Sequence, residues 1–124
     1  MDTASLSWNV VDRWQSPKTQ FAPNLVLYFG SRETLSDSER FRELREMFPD
    51  ACLMGCSTDG QICGDEIIES GVNAIAVRFD ATTLRAAIES VPDASRSRIT
   101  VRQSAGGLPP TISPASSYCQ TASP

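Results

Sequence analysis

Three features of the 124-residue chain predict an α/β fold. Leu25 to Phe29 is an unbroken apolar run, preceded by Pro23 and closed by Gly30 and Ser31. A run this short reads as a strand buried on both faces. Residues 35–50, LSDSERFRELREMFPD, set Phe41, Leu44, Met47 and Phe48 at helical spacing. Residues 73–79, NAIAVRF, alternate Ile75, Val77 and Phe79 as a strand does. The order is strand, helix, strand, loop, strand, helix. It predicts a partial mixed sheet with two helices packed on it, plus a disordered C-terminal tail.

The opening residues hold Trp8, Val10, Val11 and Trp14, followed by the polar turn QSPKTQ. The two tryptophans read as core anchors, because aromatic side chains bury large areas. In the helix, Ser36 and Glu39 have the spacing of a capping box, and Pro49 marks the end. ACLMG, residues 51–55, is a second short strand. Residues 61–71, QICGDEIIESG, read as a twisted strand or a hairpin arm turning at Gly71. Residues 80–90, DATTLRAAIES, predict a second helix, with Leu84, Ala87, Ile88 and Val91 on one face and Pro92 beyond it. From about residue 95 the periodicity stops. Residues 95–124 hold four of the eight prolines and seven serines, a composition that does not bury a core. The expected division is an α/β unit over 1–94 and a tail over 95–124.

Charge narrows the function classes. The net charge is −4, which argues against nucleic-acid binding. Residues 1–94 carry 15 acids and 8 basic residues; the tail carries Arg96, Arg98 and Arg102 and no acid. No apolar run reaches the length of a membrane span, and the N-terminus lacks the charged and apolar regions of a signal peptide. A cytoplasmic protein with reduced thiols at Cys52, Cys56, Cys63 and Cys119 is the expectation. There is no histidine. That removes Cys-His and Ser-His catalysis, a histidine general base and histidine ligation of haem or metal.

The span CLMGCSTDGQICG, residues 52–64, concentrates the candidate chemistry. A nucleophilic Cys56 needs a neighbouring cation, a histidine or a helix N-terminus to lower its pKa, and no basic residue lies nearby in sequence. The cysteine spacing fits no common zinc pattern. Gly, Ser and Thr can offer backbone N–H groups to an anion, but the P-loop lysine is missing and Asp59 opposes an anion. Cys56 therefore reads as a small packed residue, and the span as a tight turn at a strand's carboxyl end. Gly55 and Gly60 supply permissive backbone there, and Ser57 and Thr58 bond locally. That end of an open α/β sheet is also where ligands sit. The ligand-binding candidates are Gly55, Cys56, Ser57, Thr58 and Gly60.

PNLVLYFGS, REMFPDACLMGCSTDGQI and GVNAIAVRFDATTLRAA, in this order and spacing, give residues 1–94 a resemblance to the start of the FIST N domain family. GCSTDGQI is the most specific piece. The resemblance implies a bacterial sensory domain of intracellular signal transduction that binds a small ligand, such as an amino acid, without catalysis. It implies a signalling partner such as a histidine kinase, a cyclic-dinucleotide enzyme or a chemotaxis receptor. Some members are haem-dependent, but no histidine is present here to hold the iron, so no cofactor is expected. The family pattern continues past residue 95 with an alanine-rich helix and a buried strand, where this chain has its proline- and serine-rich text. The codons for Tyr118 and Cys119, read from the third base, give Leu whichever are used. A truncation or a change of reading frame near residue 95 is therefore expected. Two other function classes remain open: a thiol-dependent enzyme using Cys56, and a protein-interaction module using helix 37–48 through Arg42 and Glu46.

Overall fold

The computed structural model describes residues 1–15, 19–63, 65–87 and 89–107. Its strands are β1 (Asp2–Asn9), β2 (Arg13–Gln15), β3 (Leu25–Gly30), β4 (Cys52–Ser57), β5 (Gln61–Cys63), β6 (Glu66–Ile68) and β7 (Val72–Arg78). Its helices are α1 (Arg32–Leu35), α2 (Glu39–Met47) and α3 (Ser97–Gly107). Five strands form one mixed sheet in the order β2-β1-β7-β3-β4, and β5 pairs with β6 in a separate hairpin. The pair β3–β4 is parallel and the other ladders are antiparallel. The chain is thus α/β, with α1 and α2 crossing between the parallel strands.

Side chains alternate across a sheet, and register shows which ones share a face. Leu6 and Tyr28 flank Ala74, Trp8 and Gly30 flank Val72, and Val26 lies between Ala76 and Leu53. These residues form the core with Leu44, Phe48 and Ala51. Leu44, Leu53 and Val26 are fully buried.

The opposite face is open, which corrects the reading of β3 as buried on both sides. Phe29, Met54 and Ile75 are exposed there, and Leu25 and Leu27 are half-buried. The same finding corrects the phase read for β7 at Ile75, though Val77, two residues on, is buried as expected. Its covered face carries Val72, Ala74 and Ala76, and Ile75 points the other way. Small residues occupy the central strand because Leu6 and Tyr28 fill the space on either side.

The helical region also differs in detail. Ser31, not Ser36, caps the first helix, its hydroxyl accepting from Thr34 N at 3.3 Å. Ser36 closes α1 by donating its hydroxyl to Glu33 O at 2.8 Å, and α2 begins at Glu39 without a side-chain cap from Ser38. The expected capping box is therefore absent. On α2, Leu44 and Phe48 are buried as the periodicity requires, but Met47 is exposed and Arg40 is buried.

The helix expected over 80–90 does not form. Residues 82–87 have no regular secondary structure, and residue 88 lies outside the described residues. Leu84 is only half-buried and Val91 is exposed. A short amphipathic segment without a surface for its stripe does not hold a helix. Conversely, part of the expected disordered tail is helical. Asp93 caps a 3₁₀ turn that leads directly into α3, and its carboxylate accepts from Ser95 N at 2.9 Å. Residues 94–105 contain neither Gly-Gly nor Pro to interrupt the helix. Residues 108–124 lie outside the described residues.

Candidate functional site

The parallel strands β3 and β4 end side by side, with Gly30 opposite Ser57. The chain turns at this edge, and Thr58 N donates to Gly30 O at 2.9 Å. Ser31 N donates to Gly71 O at 3.1 Å, which brings the start of β7 to the same place. Gly71 has φ +107, a left-handed conformation that favours glycine.

The five candidate residues are adjacent in this turn but do not converge on one face. Gly55 pairs with Tyr28 and faces the core. A Cβ on Gly55 would stand 2.6 Å from the Tyr28 ring. Its glycine is a packing requirement inside β4, not a source of turn flexibility. Cys56 pairs with Phe29 and lies on the open face. It is an exposed free thiol, and Cys52 is half-buried, so the reading of Cys56 as a packed residue is corrected. Ser57 is exposed and Thr58 is half-buried. The Thr58 hydroxyl is buried with no hydrogen-bond partner among the described residues; the local bond expected of it is not made. Gly60 is exposed and a Cβ there would meet nothing within 4 Å.

Sequence reasoning missed Gln61, which holds the turn together. It is buried, at the base of β5. Its carboxamide accepts from Asn73 Nδ2 at 3.1 Å. In the flipped amide orientation it donates to Phe29 O at 3.1 Å and accepts from Ser31 N at 3.2 Å. In the flipped orientation the side chain reaches the end of β3; unflipped, it donates to Gly71 O at 3.4 Å and stays at the start of β7. The signal was available: Gln61 stands in the GCSTDGQI piece directly after the turn.

A second constellation lies at the same end of the sheet, on the covered face. The Arg40 guanidinium stacks over Trp8, 4.2 Å from the ring centre. It pairs with Glu39 at 2.5 Å and Glu43 at 3.1 Å. Glu43 also accepts from Trp14 Nε1 at 2.6 Å. Helix α2 is thereby fastened to the β1–β2 hairpin. Burial of a charge demands such pairing. The hairpin is shaped by Asn9, whose side-chain oxygen accepts from Val11 N and Asp12 N, and by Arg13 at φ +60.

Among the described residues, no helix is long and apolar enough to cross a membrane. The family model of the FIST N domain matches residues 24–119. The match includes β3, α2, the turn after β4, β7 and α3, and it continues across the boundary expected near residue 95. Comparison with curated proteins and with solved structures returned no match. The matched span covers most of the chain, which therefore belongs to the FIST N domain family, a family of sensory domains of signal transduction.

Proposed function

We propose that this chain is a non-catalytic ligand-sensing module, and that a small molecule contacts the Gly55–Gly60 turn. The observation that supports this most is the Thr58 hydroxyl. It is buried, unpartnered among the described residues, and placed at the carboxyl ends of two parallel strands. Ligands of open α/β sheets sit outside these ends, and an orphaned hydroxyl gains stability when a ligand satisfies it. An amino acid is one candidate ligand. The output passes in the cytoplasm to a signalling partner such as a histidine kinase, a cyclic-dinucleotide enzyme or a chemotaxis receptor. A thermal-shift screen of small metabolites tests the reading. Compounds that raise the Tm of the wild-type chain are expected to lose that effect in Thr58→Val. Hits indifferent to both Thr58→Val and Ser57→Ala would place the ligand elsewhere.

The exposure of Cys56 favours one second reading, a thiol-dependent enzyme. Exposed Arg42 and Glu46 favour another, an interaction surface on α2. A pull-down that loses its partner on changing these two residues would support it.

A further inference from the structure

We propose that two copies of this chain pack together through the open face of the sheet, with the β5–β6 hairpin of each laid against the other. On that face β3 and β4 present Leu25, Leu27, Phe29, Met54 and Cys56, and β7 presents Ile75. Phe29 is 41 % exposed, Met54 46 % and Ile75 39 %. Beside them β1 adds only Thr3, Ser5 and Ser7. A continuous exposed apolar surface of this kind marks an interaction site.

The hairpin extends the same surface. It leaves the sheet at Gln61, whose side chain meets that of Asn73, on the open face, at 3.1 Å. Ile62 and Ile67 pair across the hairpin and are 78 % and 76 % exposed. Cross-strand pairs of this type gain by packing, and most of this pair's surface is left for a partner.

Size favours a second copy. Four strands about 4.8 Å apart and six residues long make a face roughly 19 Å wide and 20 Å long, about 400 Å². One helix is about 10 Å across and covers half of that width. The same face of a second copy covers all of it, as in a two-sheet sandwich. Each hairpin adds about 100 Å² and covers as much on the other copy. The total, about 1,200 Å² over both copies, is the small end of specific interfaces and predicts a weak, reversible dimer.

Charge favours the same arrangement. Each copy carries −4, so two copies repel in most orientations, but no side chain on the open face is charged. The hairpin region is acidic, with Asp65, Glu66 and Glu69 exposed. Arg78 closes β7 at the opposite end of the face. Its contact with Asp80 is 3.5 Å long and exposed, hence weak, and the Met1 amine already holds Asp80. A two-fold axis lying between the faces and across their strands sets the two copies antiparallel. It brings each acidic hairpin to the Arg78 end of the other copy.

The test is sedimentation equilibrium of the full chain in reducing buffer, from about 1 µM to 1 mM. A reversible monomer–dimer equilibrium is expected. Ile75→Lys sets like charges in the middle of the interface and is expected to weaken the dimer by about tenfold or more. Glu66→Arg and Arg78→Glu, both on exposed residues, are each expected to weaken it. Mixed one to one, these two variants are expected to recover wild-type affinity, because each hairpin then meets an opposite charge; that recovery also shows that both fold. Alkylation of Cys56 is expected in dilute protein, where the face is open, and is expected to slow as the dimer fills. A chain that stays monomeric to about 1 mM overturns the proposal. So does a dimer unchanged by Ile75→Lys, or one in which the mixed charge variants bind no better than either alone. The Thr58 site plays no part in this dimer, so its failure leaves the sensory reading standing.

Discussion

Gly55 and Tyr28 face each other across the β3–β4 ladder so closely that a single methyl on Gly55 would stand 2.6 Å from the Tyr28 ring. The clash also involves the Tyr28 carbonyl oxygen, which no rotamer change relieves. Gly55→Ala is expected to destabilise the chain by about 1–3 kcal/mol, the range for overpacking a core. Gly60→Ala, with open space around its new methyl, is expected to stay within about 0.5 kcal/mol of wild type. Urea unfolding of the two variants checks the contrast. Equal effects would remove Tyr28 as the reason for Gly55.

The open face makes a second expectation concrete. Cys56 is exposed on it and Cys52 is half-buried four residues earlier. Alkylation of Cys56 is expected under native conditions, faster than that of Cys52, at a rate flat in urea below the unfolding transition. A rate that rises with the unfolded fraction would show the face to be covered in solution. Fast labelling by itself says only that the thiol is accessible, not that it is a catalyst.

At the other end of β7, the N-terminal ammonium of Met1 donates to Asp80 at 2.7 Å. That hydrogen bond holds the Asp80 carboxyl below its usual 3.8 and the Met1 amine above its usual 8.0. The carboxylate's contribution is present above pH 3.8 and is lost as pH falls through its lowered value. The amine's contribution is complete below pH 8.0 and is lost as pH rises through its raised value. Both groups are exposed, so the effect is small and salt-screened. Asp80→Asn is expected to lower Tm only inside that window, and at low salt. NMR titration of the amine is expected to show its pKa fall in the variant.

Asp93 carries the entry to α3. The Ser95 hydroxyl and the backbone N–H groups behind it hold its carboxyl below the ordinary range. The cap is therefore present above pH 3.8 and is lost as pH falls through the lowered value. Asp93→Ala is expected to speed amide hydrogen exchange across 97–107 while leaving β1, β3 and β7 unchanged. Equal exchange in both proteins would mean that Asp93 does not support the helix.

Strands β3, β4 and β7 and the main helix were legible because their apolar residues follow the periods of those elements, whereas β1 and β2 read only as an opening segment with anchoring tryptophans. Leu25 to Phe29, and Leu44 with Phe48, announce a strand and a helix without any partner in view. Which face of β7 meets the helices was not legible. Ile75 is the more apolar residue, yet Ala74 fits between Leu6 and Tyr28, and only register reveals that. Arg40 reads as one more solvated charge on α2; its burial needs the Trp8 ring and two glutamates brought together by the fold. The stripe of Leu84, Ala87, Ile88 and Val91 has helical spacing, but spacing does not supply a surface to bury it. A turn after β4 was legible as a turn, while the separate positions of Gly55, Cys56 and Thr58 depend on alternation across a ladder whose pairing the sequence does not state.

The central claim is binding without turnover. The most direct measurement takes a compound that stabilises the chain, incubates it with the protein, and follows both by native mass spectrometry and by NMR of the compound. A stoichiometric, reversible complex is expected, from which the compound is recovered chemically unchanged, in wild type and in Cys56→Ser alike. Steady conversion of the compound to a product, abolished in Cys56→Ser, would contradict it and establish the thiol enzyme instead.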